Sequence, residues 1–193
     1  MHESMVIFTA GHSTRTIEEL IALLVDGAVK GVADVRRFPS SRRHPQFNRG
    51  ALDASLHNAG IEYDWLGESL GGRREQILPA SESKNAAWQV AAFRHYADAM
   101  ESAEFRAGIE ELEALARLRP TAFLWAEHNW WSCHRRLIAD FLVVRGWNVI
   151  HLLDPGSRQI SVLVAVPNPG GALVAGLFAE GRGSAQQRGA LGL

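Results

Sequence analysis

The chain has almost no lysine. Lys30 and Lys84 stand against 18 arginines among 193 residues, and the formal net charge is −1. A chain with no net positive charge is not a general polycation for coating nucleic acid or an anionic membrane. The arginine bias has two readings: a GC-rich genome, or flat, two-pronged contacts to carboxylate and phosphate. Cysteine is nearly absent too. Cys133 stands alone, which excludes an internal disulfide and fits a reducing compartment, so a cytoplasmic protein is expected. No apolar run approaches the ~20 residues that span a bilayer, and no basic segment precedes an apolar stretch at the start, so no membrane partner is expected. The P-loop pattern is missing, and "GHS" lacks the remaining glycines of a dinucleotide loop. No H-x3-H or C-x2-C spacing occurs, so no metal site is expected and the cofactor stays unassigned.

What is there is a core. Apolar residues make up 47% of the chain, enough for one well-packed domain. "MVIFTA" (Met5 to Ala10) is an apolar run of buried-strand length. After it, Thr16 and Glu19 have capping-box spacing, Ile17, Leu20, Ile21 and Leu24 share a helical face, and Gly27 is a plausible stop. "KGVADV" is a second strand, "NRGALDASLHNAG" a helix ending at Gly60, and "IEYDWL" a third strand. "GESLGGRREQILPASESKN" reads as an ordered loop or lid. Two helices follow, one with Val90, Phe93, Ala97 and Met100 on a face and one with Phe105, Ile109, Leu112 and Ala116, ended by Pro120. "TAFLWA" is strand four. "SCHRRLIADFLVVRG" is a helix with Ser132 as N-cap and Gly146 as stop, and "NVIHLL" is strand five.

This alternation predicts an α/β fold: a three-layer βαβ sandwich with a mainly parallel sheet of about five strands, in a single domain over 1–166. "ISVLVAVP" is a candidate extra edge strand. Residues 167–193 read as a C-terminal extension, disordered from Gly181 onward.

In a parallel sheet the carboxyl ends of the strands share one edge, where ligands usually bind. Here "GHS", "DVRRFPSSRRHPQFN", "LGESLGGRR" and "AEHNWWSCHRR" each follow a strand and precede a helix. Every arginine-rich polar stretch therefore falls on that one edge, which is the strongest functional signal in the chain.

These same stretches carry a resemblance. "TAGHSTRTIEEL", "DVRRFPSSRRHPQFN", "YDWLGESLGGRR" and "AEHNWWSCHRRLIADFLVVRGWNVIHL", in this order over roughly Ile7 to Leu153, resemble the bacterial and archaeal family catalogued as domain of unknown function 488. The resemblance implies no activity. The family's fourth motif reads Cys-x-Glu followed by Cys-His-Arg. Glu127, Cys133, His134 and Arg135 match it, while Trp125 stands at the first cysteine. This departure argues against a two-cysteine metal or redox site.

Several residues compete for roles. Cys133, placed first in its helix with His134, Arg135 and Arg136 near, is a candidate nucleophile. It also shares a stripe with Leu137, Phe141 and Val144, which makes it a small buried thiol instead, the preferred reading. Arg136 has Asp140 four residues on, so those two read as a surface pair. Arg135 has no acidic neighbour and is the better anion contact at a helix N-terminus. Arg36, Arg37, Arg42, Arg43, His44 and Arg49 crowd one loop where Asp34 is the only acid, and such crowding favours an anion bound by Arg36, Arg42 and Arg43. Asp34 is expected to orient Arg36 or a loop amide. His12 and Glu127 are candidates to handle protons, while Ser13, Arg73 and His134 complete the ligand-binding set. Trp130 and Trp131 either stack on a ring or cap the core.

The expectation is an enzyme or enzyme-derived protein that binds a small anionic, phosphate-bearing ligand. The alternatives are a nucleic-acid-binding module using the same arginines and tryptophans, and a protein-interaction domain docking an acidic partner.

Overall fold

A computed structural model describes residues 5–161. The boundary expected at residue 166 and the extension after it lie outside the described residues. The elements run β1 (Val6–Gly11), α1 (Ile17–Asp26), β2 (Gly31–Asp34), α2 (Arg49–Asn58), β3 (Glu62–Trp65), α3 (Gly67–Leu70), α4 (Ala91–Ala99), α5 (Ala103–Leu118), β4 (Thr121–Trp125), α6 (Arg135–Val144), β5 (Asn148–Asp154) and β6 (Ser157–Ile160). The sheet has six strands in the order β3-β2-β4-β1-β5-β6. All pairings are parallel except β5 with β6. The sixth strand covers Ser157–Ile160, starting before the apolar run proposed for it.

Alternation along the strands divides the core in two. On one face Ala10, Val32, Ala122, Leu124 and Leu152 pack against Leu20, Leu23 and Leu24 of α1 and Leu52 and Leu56 of α2. On the other, Ile7, Ala33, Phe123 and Val149 pack against Phe105, Ile109 and Leu112 of α5 and Leu137, Ile138 and Leu142 of α6. Each of these leucine, isoleucine, valine and phenylalanine side chains contributes roughly 1.5–3 kcal/mol on burial. The result is the expected three-layer sandwich.

The local signals explain the helix ends. Thr16 Oγ1 accepts from the Glu19 amide at 3.2 Å, and the Glu19 carboxylate accepts from the Thr16 amide at 2.7 Å, so the capping box is complete. Gly60 and Gly146 take φ of +72° and +90° just past α2 and α6, where a side chain would be strained. Val90 departs from its expected face: it is the N-cap of α4 and is 57% exposed.

The start of α6 corrects the sequence reading. Trp130–Ser132 form a single 3-10 turn, Cys133 is extended (φ −131°, ψ 165°), and the helix begins at Arg135 with His134 as N-cap. Ser132 is not the cap and Cys133 is not a helical residue. The buried face of α6 carries Arg135, Leu137, Ile138, Asp140 and Leu142, and Val144 is exposed. No helix among the described residues is long and apolar enough to cross a membrane.

The connection after β1 passes over β4 to reach β2. The connection after β4 passes over β1 to reach β5. The chain therefore turns in opposite directions from these two neighbouring strands, and their carboxyl ends form the crevice where such sheets bind ligands.

Candidate functional site

Gly11 and Trp125 are register partners at the ends of β1 and β4. The chain after β4 folds back over the end of β1: His12 N donates to Trp125 O at 3.0 Å and Ser13 N to Ala126 O at 2.8 Å. A Cβ on Gly11 would stand 1.8 Å from Glu127 O, so this approach requires glycine. Ser13 takes a φ of +50°.

A cavity of about 590 Å³ opens at this crevice. His12, Ser13 and Thr14 line it from the first strand end. Arg36, Arg37, Phe38 and His44 do so from the second. Gly72 and Arg73 come from the segment after α3. Trp125, Ala126, Glu127 and His134 come from the fourth. Arg73 has a φ of +56°. Of the three non-glycine residues with positive φ among those described, two line this cavity, and the third, Ala28, lies at the opposite edge. Strained backbone of this kind concentrates at binding sites.

The floor is a chain of directed hydrogen bonds. Asp34, fully buried, accepts from the Arg36 amide at 3.0 Å and from Arg36 Nε at 2.8 Å through Oδ1, and from Nη2 at 2.5 Å through Oδ2. Tyr63 donates its hydroxyl to the same Oδ2 at 2.7 Å. Arg36 Nη1 lies 3.1 Å from His12 Nε2, and His12 Nδ1 lies 3.0 Å from Ser13 O. A carbonyl only accepts, so Nδ1 carries the proton and Nε2 accepts from Arg36. Burial, and then the neighbouring Arg36 charge, lower the His12 pKa to about 4. His12 is therefore neutral at pH 7, with its lone pair already engaged.

His134 is the mirror case. Its Nε2 donates to Ala92 O at 3.2 Å, which leaves Nδ1 as the acceptor. That nitrogen would be 3.5 Å from a Cβ on Gly72, a cavity residue. The ring is held by Phe93, Tyr96 and Trp125 at centroid distances of 4.7, 4.9 and 6.1 Å, and burial lowers its pKa.

Among the cavity cations, Arg36 is neutralised by Asp34, and Arg37 donates to Glu68 O at 2.6 Å with no acidic partner among the described residues. Arg73 is exposed and makes no ion pair or hydrogen bond among the described residues. Its neighbour Arg74 is tied to Gly71 O, Ser69 O and Glu104, so it holds the loop. Glu127 is the one carboxylate lining the cavity among the described residues.

The rest of the expected set lies elsewhere. Ser41 N donates to Asn48 Oδ1 and His44 N to Ser41 Oγ, which turns the loop so that Arg42 and Arg43 sit exposed outside the cavity lining. Cys133 is 3% exposed, and its thiol donates to Trp130 O at 3.6 Å. Burial pushes its pKa up to about 11. Arg135 is fully buried behind the 128–129 peptide, where Nη2 donates to His128 O at 2.9 Å. Trp130 stacks on His151 at 3.9 Å, while Trp131 is 51% exposed. Among the described residues no cluster of His, Cys, Asp or Glu could hold a metal ion.

Sequence reasoning passed over Arg15 and Tyr63, and counted Arg37 and His44 in the arginine-rich loop without giving them a role. Arg15 donates to Gly11 O at 2.6 Å and to Leu153 O, pairs with Asp154 at 3.1 Å, and meets His128 Nδ1 at 3.1 Å. It fastens the end of β1 to the ends of β4 and β5. Arg37 and His44 lie in the loop already singled out. Tyr63 gave no signal, because its partner Asp34 is 29 residues away in the chain.

The fold and the crevice together define a doubly wound α/β domain with an arginine- and histidine-lined cavity at its switch point. The chain belongs to the family described as Domain of unknown function DUF488, whose profile matches residues 16–142. No curated protein and no solved structure matches it significantly.

Proposed function

We propose that this protein is an enzyme, or derives from one, and that its cavity takes a small phosphate-bearing anion. The observation that supports this reading is Arg73, a guanidinium that pairs with no other described residue, in a cavity of about 590 Å³ that Arg36 and Arg37 also line. Arg36 is held rigid by Asp34 and offers a preset edge. Arg37 and Arg73 supply the charge that Asp34 does not cancel. Arginine forks suit phosphate oxygens, and a charged hydrogen bond of this kind contributes ~1.5–3 kcal/mol. Glu127 and His134 are placed to exchange protons with a bound molecule, since the His12 lone pair is occupied.

The test is thermal melting of the full chain against inorganic phosphate, nucleotides and sugar phosphates. Ligands that fit raise the melting temperature, Arg73→Ala and Arg36→Ala remove most of the rise, and Arg106→Ala on the exposed side of α5 leaves it intact. A flat response across the panel refutes the reading. Phe38, 65% exposed at the cavity rim, favours the rival reading of a single-stranded nucleic-acid surface. Binding only to long strands, with a steep salt dependence, establishes that rival instead.

A further inference from the structure

Thr9 and His151 are register partners on β1 and β5, so their side chains stand side by side on the sheet face covered by α6. Arg135 enters from α6 above them. Its Nη1 would be 3.1 Å from a Cβ on Gly11, two residues beyond Thr9 on the same face. Trp130 closes the far side by stacking on the His151 ring. All three side chains belong to residues with 0% exposure, and none lines the outer cavity.

Their hydrogen-bonding capacity is unspent in one particular sense. Thr9 Oγ1, both ring nitrogens of His151, and Nε and Nη1 of Arg135 have no partner. Each of the three residues carries at least one N–H or O–H there, and Arg135 carries only donors. The hydroxyl and the unprotonated imidazole nitrogen also accept, but the donors, three of them on Nε and Nη1 of Arg135, outnumber the acceptors. Glu127 acts on Arg135 only from beyond ion-pair distance, so among the described residues no carboxylate pairs with this guanidinium, which is removed from water and needs a counter-charge. Cys133, the nearest acidic group along the chain, is held as a neutral thiol by burial. A water molecule would satisfy the donors but leave the charge.

We infer that Thr9, His151 and Arg135 form an inner site, separate from the outer cavity, for one small monovalent anion of halide size. The neutral imidazole and the hydroxyl orient the ion, and the guanidinium balances its charge. The three residues are fully buried and none lines the crevice outside, which distinguishes this site from it. The site does not rest on the phosphate reading: a halide response without a phosphate response keeps the one and ends the other.

The experiment is melting of the full chain at constant ionic strength as sodium gluconate is replaced by sodium chloride or bromide. A saturable rise in melting temperature is expected with either halide, and a flat response overturns the proposal. Thr9→Val keeps the shape of the side chain and deletes one donor to the ion, so it should weaken the apparent halide affinity about tenfold. If Thr9→Val instead melts higher than wild type in chloride, the hydroxyl was merely unsatisfied and the proposal fails. Crystals grown in bromide give a readout that needs no variant. An anomalous peak among the three side chains supports the site, and ordered water there, with bromide only at the surface, overturns it.

Discussion

His12 and His134 turn opposite ring nitrogens to the same cavity. Ser13 O fixes the proton of His12 on Nδ1, and Ala92 O fixes that of His134 on Nε2. The His12 lone pair is spent on Arg36, whereas that of His134 stays toward Gly72. Nitrogen-15 chemical shifts of the imidazoles should therefore report the Nδ1–H tautomer for His12 and the Nε2–H tautomer for His134 at pH 7. A protonated His12 at that pH would contradict the hydrogen-bond chain from Tyr63 through Asp34 and Arg36.

That chain predicts a specific cost. Asp34→Asn keeps the size of the side chain and removes the charge that Arg36 faces in the interior. An uncompensated buried charge typically costs ~3–5 kcal/mol. Denaturant unfolding should show a loss of this order, together with a weakened phosphate response, because Arg36 is no longer held. A loss below ~0.5 kcal/mol would mean that water, and not Asp34, solvates the guanidinium.

Cys133 should be slow to react. With its pKa raised to about 11, it carries almost no thiolate at pH 7, and thiolate is the species that alkylates. Alkylation should remain slower than that of a free thiol up to pH 8, and Cys133→Ser should fold with a loss of ~1 kcal/mol. Rapid labelling with an apparent pKa below ~8.5 would restore the nucleophile reading.

Asp140 opposes the buried histidines as pH changes. Burial raises its pKa to about 7, with Arg136 lowering it, so between the unfolded value of 3.8 and about 7 the native state binds the extra proton. Stability then falls as pH rises through that window. His12 and His151, lowered to about 4 and about 3, act in the other direction: below 6.5 the unfolded chain takes up protons that the native chain refuses, so stability falls as pH falls toward those values. Asp140→Asn removes only the first contribution. Its gain over wild type should grow from pH 4 to pH 7 and then level off, reaching on the order of 1 kcal/mol or more. A gain independent of pH would show that Asp140 is ionised throughout.

The sheet and its helices were legible because they rest on local signals: apolar runs of strand length, the Thr16 capping box, and glycines past helix ends. The start of α6 was not. Ser132 satisfies the cap rule, but Trp130 is stacked on His151, 21 positions further on, and that distant contact winds the preceding turn separately from the helix. The edge carrying the cavity could be placed from the order of strands and helices. Which arginines face it could not. Arg42 and Arg135 look equally available in sequence, yet a loop turned by Ser41 and Asn48 leaves one in solvent, and a helix register puts the other under a peptide.

The place of β1 in the sheet has a consequence for synthesis. Both of its neighbours, β4 and β5, begin after residue 120. β1 therefore leaves the ribosome well before either of its partners, and its two edges stay unpaired until β4 and β5 follow. Such edges are templates for wrong pairing, and contacts this distant in sequence form slowly. Only β2 and β3, adjacent in both chain and sheet, can pair early. A truncation before β4 thus leaves β1 with neither of its neighbours, and the growing chain is exposed to wrong pairing until β4 and β5 arrive.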